Sequence, residues 1–136
     1  MAGRALGVAA KVSAVMGALA ATAQAALAGR FLAGDFGALD LHREVASVLG
    51  GIVILSAILA GIGRIRRRGE LKEVVVAVAL VVGVAAQAAL ARANLLAVHV
   101  PTGVAVLSLS YFHVALVLRP SRVPERTARL KGGIRG

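Results

Sequence analysis

Leu95 to Leu118 reads LLAVHVPTGVAVLSLSYFHVALVL, an uninterrupted apolar run that carries His99 near one end and His113 near the other. A run of this length, above the roughly 20 residues a membrane-crossing helix needs, has few alternatives to a bilayer span. Imidazoles are costly in hydrocarbon unless they are hydrogen-bonded or bound to a metal, so histidines in such a run point to function. A second run, LDLHREVASVLGGIVILSAILAG, places His42 at its start. The sequence therefore poses one central question, whether His42 and His99 face each other.

The rest of the chain supports a membrane bundle. Hydrophobic residues make up 59% of the 136 residues and mean hydropathy is +0.86, too apolar for a soluble domain of this size. Cysteine is absent, which removes disulfides, iron–sulfur clusters and thiolate zinc sites. The Ala, Gly and Arg bias fits a GC-rich bacterial genome. No Gly-rich phosphate loop, His-Glu-x-x-His or serine or cysteine nucleophile arrangement occurs, so an enzyme is not expected.

Four spans are predicted, over about residues 11–34, 41–63, 73–91 and 96–118, in one all-α integral membrane four-helix bundle. The first could instead be a secretory signal, because Ala23-Gln24-Ala25 resembles a small-residue cleavage site, but its apolar stretch continues well past that point. Residues 32–40, with Gly34, Asp35, Gly37 and Asp40, form a turn whose acids could cap the second span. Residues 119–136 carry six basic residues against one Glu, and their Pro and Gly content predicts a mobile tail.

Charge sets the expected orientation. The formal net charge is +10, which in a soluble domain would suggest nucleic acid, but here the basic residues gather at span ends. Arg4 and Lys11, then Arg64, Arg66, Arg67, Arg68 and Lys72, then the six of the tail all fall on one side of a four-span chain. That side is predicted to be cytoplasmic, with both termini on it, in the inner (plasma) membrane. A basic inner face would also attract anionic lipid. Arg30, Arg43 and Arg92 lie on the opposite side with Asp35, Asp40 and Glu44. The lipid bilayer is thus the expected partner, not nucleic acid.

An internal repeat places the histidines equivalently. Ala23-Gln24-Ala25-Ala26-Leu27-Ala28 recurs as Ala86-Gln87-Ala88-Ala89-Leu90-Ala91. Each copy precedes an Arg-containing turn and a span that opens on histidine, so the bundle reads as two tandem helical hairpins related by an axis along the membrane normal. His42 lies 22 residues before Arg64 and His99 lies 20 before Arg119. At 1.5 Å per residue both imidazoles sit about 30 Å from the basic edge, and so at one level. In a four-helix bundle the second and fourth helices can lie across a diagonal.

Two imidazoles at one depth on diagonal helices are what a bis-histidine iron porphyrin requires, which makes haem b the expected cofactor, with His42 and His99 as its axial ligands. Gly50 and Gly51, two turns below His42, and Gly103, one turn below His99, would let a flat macrocycle approach the backbone. Arg30, Arg43 and Arg92 would meet its propionates. Gln24 and Gln87 could hydrogen-bond across the bundle, as part of the site or as interhelical glue. The expected role is electron transfer or haem handling, with a quinone or a redox partner protein and a homo-oligomer as possible associates. The alternative is a haem-free small membrane subunit or transporter component. A zinc site from His42, His99 and Asp40 or Glu44 would have too few ligands.

The segments QAALAGRF, LDLHREVASVLG, VAAQAALA and LLAVHVPTG resemble the small bacterial four-span membrane family DUF6220, which carries a glutamine helix before each histidine helix. More distantly, the chain is similar to one four-helix half of haem A synthase, where a His-Arg pair opens the second helix and a histidine lies in the fourth. The resemblance covers about residues 10–118 and implies histidines that hold haem. It departs where Val100 separates His99 from Pro101. The synthase needs two such halves and this chain has one, so its catalysis is not implied. His113, about 21 Å along the helix from His99, has the spacing of two-haem membrane cytochromes b. Its partner position is Ser56, so a hydrogen bond to a carbonyl, Ser108, Ser110 or Tyr111, or a proton-handling role, is expected instead.

Overall fold

The computed structural model describes residues 2–66 and 69–119. They form four helices, α1 (Ala2–Leu32), α2 (Ala38–Ile65), α3 (Leu71–Arg92) and α4 (Leu96–Leu118), each long and apolar enough to cross a membrane. The fold is an all-α membrane four-helix bundle. The basic tail from residue 120 onward, with its expected mobility, and Arg67 and Arg68 lie outside the described residues.

Helix boundaries differ from the hydropathy spans where charge interrupts apolarity. α1 begins at Ala2, well before residue 11, because Arg4 and Lys11 end an apolar window without ending an alanine-rich helix. α3 begins at Leu71, where Glu70 and Glu73 form a reciprocal capping box that satisfies the first free N–H groups. α4 begins at Leu96 and takes Pro101 within its second turn, where proline removes the N–H that would have bonded the Ala97 carbonyl.

Each hairpin turns by the same device. After α1, Gly34 adopts φ +99° and the Asp35 N–H donates to the Arg30 carbonyl at 3.0 Å. After α3, Asn94 adopts φ 56° and the Leu95 N–H donates to the Leu90 carbonyl at 3.0 Å. Both are Schellman closures, with the left-handed position held by the two residue types that tolerate it best. These tight turns fold α1 on α2 and α3 on α4 as two hairpins.

α1 packs on α2 and α4, and α3 packs on the same two helices, so α2 and α4 face each other across a diagonal, as do α1 and α3. Small residues set the spacing. α1 buries Ser13, Ala14, Gly17, Ala18 and Ala21, a stripe that lets backbones approach closely. A core of Ala21, Leu49, Val53 and Leu80 closes the middle of the bundle. Large apolar side chains point outward, among them Met16, Leu19, Ile54, Leu55, Ile58 and Phe112, as lipid-facing surface requires. Intramembrane hydroxyls are satisfied locally: Thr22 donates to Ala18, Ser108 to Val104 and Ser110 to Val106, each to the carbonyl one turn back, so no span carries an orphaned hydroxyl proton.

Candidate functional site: a pair of facing histidines

His42 and His99 face each other across the α2/α4 diagonal. Their ring centroids are 6.4 Å apart and the ring planes cross at 61°. The site lies at the hairpin end of the bundle, the end opposite Ala2 and Arg119.

Each ring is fixed by the same contact. His42 Nδ1 lies 3.1 Å from the Gln24 backbone carbonyl, and His99 Nδ1 lies 3.1 Å from the Gln87 backbone carbonyl. A carbonyl can only accept, so Nδ1 must carry the proton in both rings. In the neutral imidazole this leaves the Nε2 lone pair free. Neither Nε2 has a hydrogen-bond partner among the described residues.

The sequence separations are 18 residues for Gln24 and His42 but 12 for Gln87 and His99. The difference is explained by the turn residues, since Gln24 precedes Gly34 by three residues more than Gln87 precedes Asn94, and His42 follows by three more than His99. The first hairpin is thus nearly one helical turn longer in both arms, and the glutamine–histidine pairing keeps its register.

The glutamine side chains bond from helix to helix as interhelical glue, each within its own hairpin and not across the diagonal. Gln24 Nε2 donates to the His42 carbonyl at 2.7 Å, making a reciprocal clamp with the bond from His42 to the Gln24 carbonyl. Gln87 Nε2 donates instead to Thr102 Oγ1, and Thr102 Oγ1 in turn reaches the Val98 carbonyl at 2.7 Å and the His99 carbonyl at 3.1 Å. Thr102 has no counterpart in the first hairpin, where Val45 stands three residues after His42. Sequence reading missed Thr102 and both backbone carbonyls.

The arginines sit around the hairpin end. Arg30 donates to Asp35 through Nε and Nη2, and Arg43 donates to Asp40 at 3.1 Å; all four side chains are exposed. Arg92 is exposed and enters no ion pair among the described residues. The three glycines differ from one another. A Cβ at Gly50 or Gly51 would meet nothing within 4 Å, and Gly51 is exposed. A Cβ at Gly103 would lie 3.3 Å from Gln87 Oε1, so the missing side chain there makes room for the Gln87 amide.

His113 does not join this pair. It is buried in α4 and makes no hydrogen bond among the described residues, contrary to the expected bond to a carbonyl or a nearby hydroxyl. Ser108 and Ser110 spend their protons on α4 carbonyls, and Tyr111 pairs with Thr22 at 2.9 Å. His113 shares a small void with Ser56, and Ser56 donates to Ser13 at 3.1 Å. No group of three or more His, Cys, Asp or Glu side chains that could hold a metal ion occurs among the described residues. This leaves the zinc reading without its ligand set.

Comparison with protein-family models, with curated proteins and with solved structures returns no match. The functional reading therefore rests on the residues and their geometry.

The ring spacing is compatible with two imidazoles on one metal. Imidazole–metal bonds are about 2 Å, which puts each ring centre about 3 Å from the metal and two rings about 6 Å apart. The observed separation is 6.4 Å. Both rings hold Nδ1 on a backbone carbonyl, the outer contact that usually fixes a ligating histidine, and so leave Nε2 uncommitted. Two nitrogens alone do not complete a zinc site, whereas haem supplies the other four donors itself.

Proposed function

We propose that this chain is a b-type haem-binding membrane protein in which His42 and His99 serve as the two axial ligands of one haem. The observation that carries the reading is the facing imidazole pair, 6.4 Å apart with both Nδ1 atoms committed to backbone carbonyls. Bound haem would supply one-electron redox chemistry. The protein's own contribution is to hold both rings in one tautomer, at one depth, on opposite helices. The Ala21, Leu49, Val53 and Leu80 core packs the middle of the bundle beneath the pair. Arg92, free of carboxylates, is the arginine best placed by charge to meet a propionate, and Arg30 and Arg43 would have to release Asp35 and Asp40 first.

The chain would then carry electrons or hand on haem in the inner membrane, with both termini cytoplasmic, a reading that the basic loop and tail support. The exchange partner would be a quinone or a redox protein. Purification from haem-sufficient cells tests the proposal. A Soret band that copurifies with the protein is expected, and colourless protein would count against it.

The reciprocal Gln24–His42 clamp favours one second reading, a haem-free small membrane subunit in which the same bonds tie each hairpin together. Under it the histidines contribute to stability alone.

A further inference from the structure

At the end of the bundle that holds Ala2 and Arg119, the four helices surround a cavity of about 490 Å³ whose lining includes Lys11, Ser56, Glu73, His113 and Arg119. Its depth is set by His113, which is only 3% exposed. The His113 nitrogens have no hydrogen-bond partner among the described residues, yet no buried side-chain nitrogen or oxygen there is sealed off unpaired. What surface the ring keeps therefore opens on the voids that it lines. A polar ring that opens on a cavity takes its hydrogen-bond partner from what occupies that cavity.

The charges of the lining say what kind of group that is. Lys11 and Arg119 enter no ion pair among the described residues. Glu73, the carboxylate of the lining, is engaged in the α3 capping box. Two uncommitted cations and an imidazole N–H thus surround one space. Leu6, Leu59 and Val117 supply apolar wall beside them. Beyond His113 the space narrows to a void of about 10 Å³ between Ser13, Ser56 and Ser110, room for about one water. Val53 and Leu80 line that void and belong to the closed core, so the cavity is separate from the His42–His99 pair.

We propose that this cavity is a binding site for an oxyanion, phosphate or carboxylate. Lys11 and Arg119 supply the charge, the His113 ring N–H supplies a directed donor, and the leucine and valine wall takes any apolar part that the ligand carries. The source is an acidic lipid headgroup or a soluble anion. The inference does not depend on haem.

The test uses the full chain, ¹⁵N-labelled at histidine and purified in neutral detergent, with the His113 ring signal assigned from its loss in His113→Gln. Dioctanoyl phosphatidylglycerol, inorganic phosphate and dioctanoylglycerol are titrated separately. The proposal expects a saturable shift of the His113 signal with phosphatidylglycerol and none with dioctanoylglycerol, which has the chains but no oxyanion. Lys11→Gln, at an exposed position that the fold tolerates, should weaken binding about tenfold, the effect of one charge-assisted contact. Equal binding of inorganic phosphate would support the oxyanion site and assign it to a soluble ligand. An equal shift with dioctanoylglycerol, no shift with either anion, or unchanged affinity in Lys11→Gln would overturn it.

Discussion

His42 and His99 stand 6.4 Å apart, ring centre to ring centre, although the α2 and α4 backbones do not approach each other closely. The two rings bridge a diagonal that the backbones leave open. Each reaches it from a helix whose partner in the same hairpin supplies a carbonyl to the ring. The symmetry of that arrangement comes from the repeat, and it leaves Nε2 of each ring uncommitted.

The two hairpins should respond differently to loss of their glutamine. Gln24→Leu removes one bond to a carbonyl and should cost about 1 kcal/mol, the usual worth of an intramembrane hydrogen bond. Gln87→Leu also leaves Thr102 without its donor. A double-mutant cycle of Gln87→Leu with Thr102→Val should show coupling of about 0.5 kcal/mol or more by thermal or steric-trap unfolding in detergent. The cycle of Gln24→Leu with Thr102→Val should be additive.

Helix packing gives a second prediction. A Cβ at Gly83 would lie 2.9 Å from Val106 Cγ2, so Gly83→Ala should destabilise the bundle by about 1–3 kcal/mol through overpacking of α3 on α4. Val106→Ala should recover part of that loss in the double variant. Gly50→Ala, with open space around its Cβ, should leave the melting temperature of the cofactor-free protein unchanged or raise it, because alanine is the better helix former.

Much of the fold was legible because span length and apolarity are local properties of the sequence. α4 starts at Leu96 and ends at Leu118, where the apolar run does. The start of α1 at Ala2 was not legible, because Lys11 interrupts hydropathy while leaving helix propensity intact. The shared depth of His42 and His99 could be counted from Arg64 and Arg119. Their anchoring could not, because a backbone carbonyl has no residue type to mark it, and the pairing distances of 18 and 12 residues emerge only once both turns are placed. His113 was misjudged for a related reason. Ser108 and Ser110 look like partners in sequence, but each hydroxyl turns back to its own helix.

Topology provides a third prediction. Reporter fusions at Gly37 should be active in the periplasm, and fusions at Gly69 and at residue 136 active in the cytoplasm, because Lys11, Arg64, Lys72 and Arg119 all flank that side. A periplasmic signal at residue 136 would contradict the four-span orientation and move the histidine pair to the inner side.

The proposed haem site is tested most directly by reduced-minus-oxidised difference spectra of the purified protein and its His42→Ala, His99→Ala and His113→Ala variants, all expressed with sufficient haem. The account predicts a low-spin b-type spectrum for the unaltered protein. That spectrum should be lost in His42→Ala and in His99→Ala alike, since six-coordinate low-spin iron needs both axial nitrogens. It should be retained in His113→Ala, whose ring lies in a separate cavity. A spectrum that survives in either His42→Ala or His99→Ala, or that disappears in His113→Ala alone, would contradict the assignment of the facing pair.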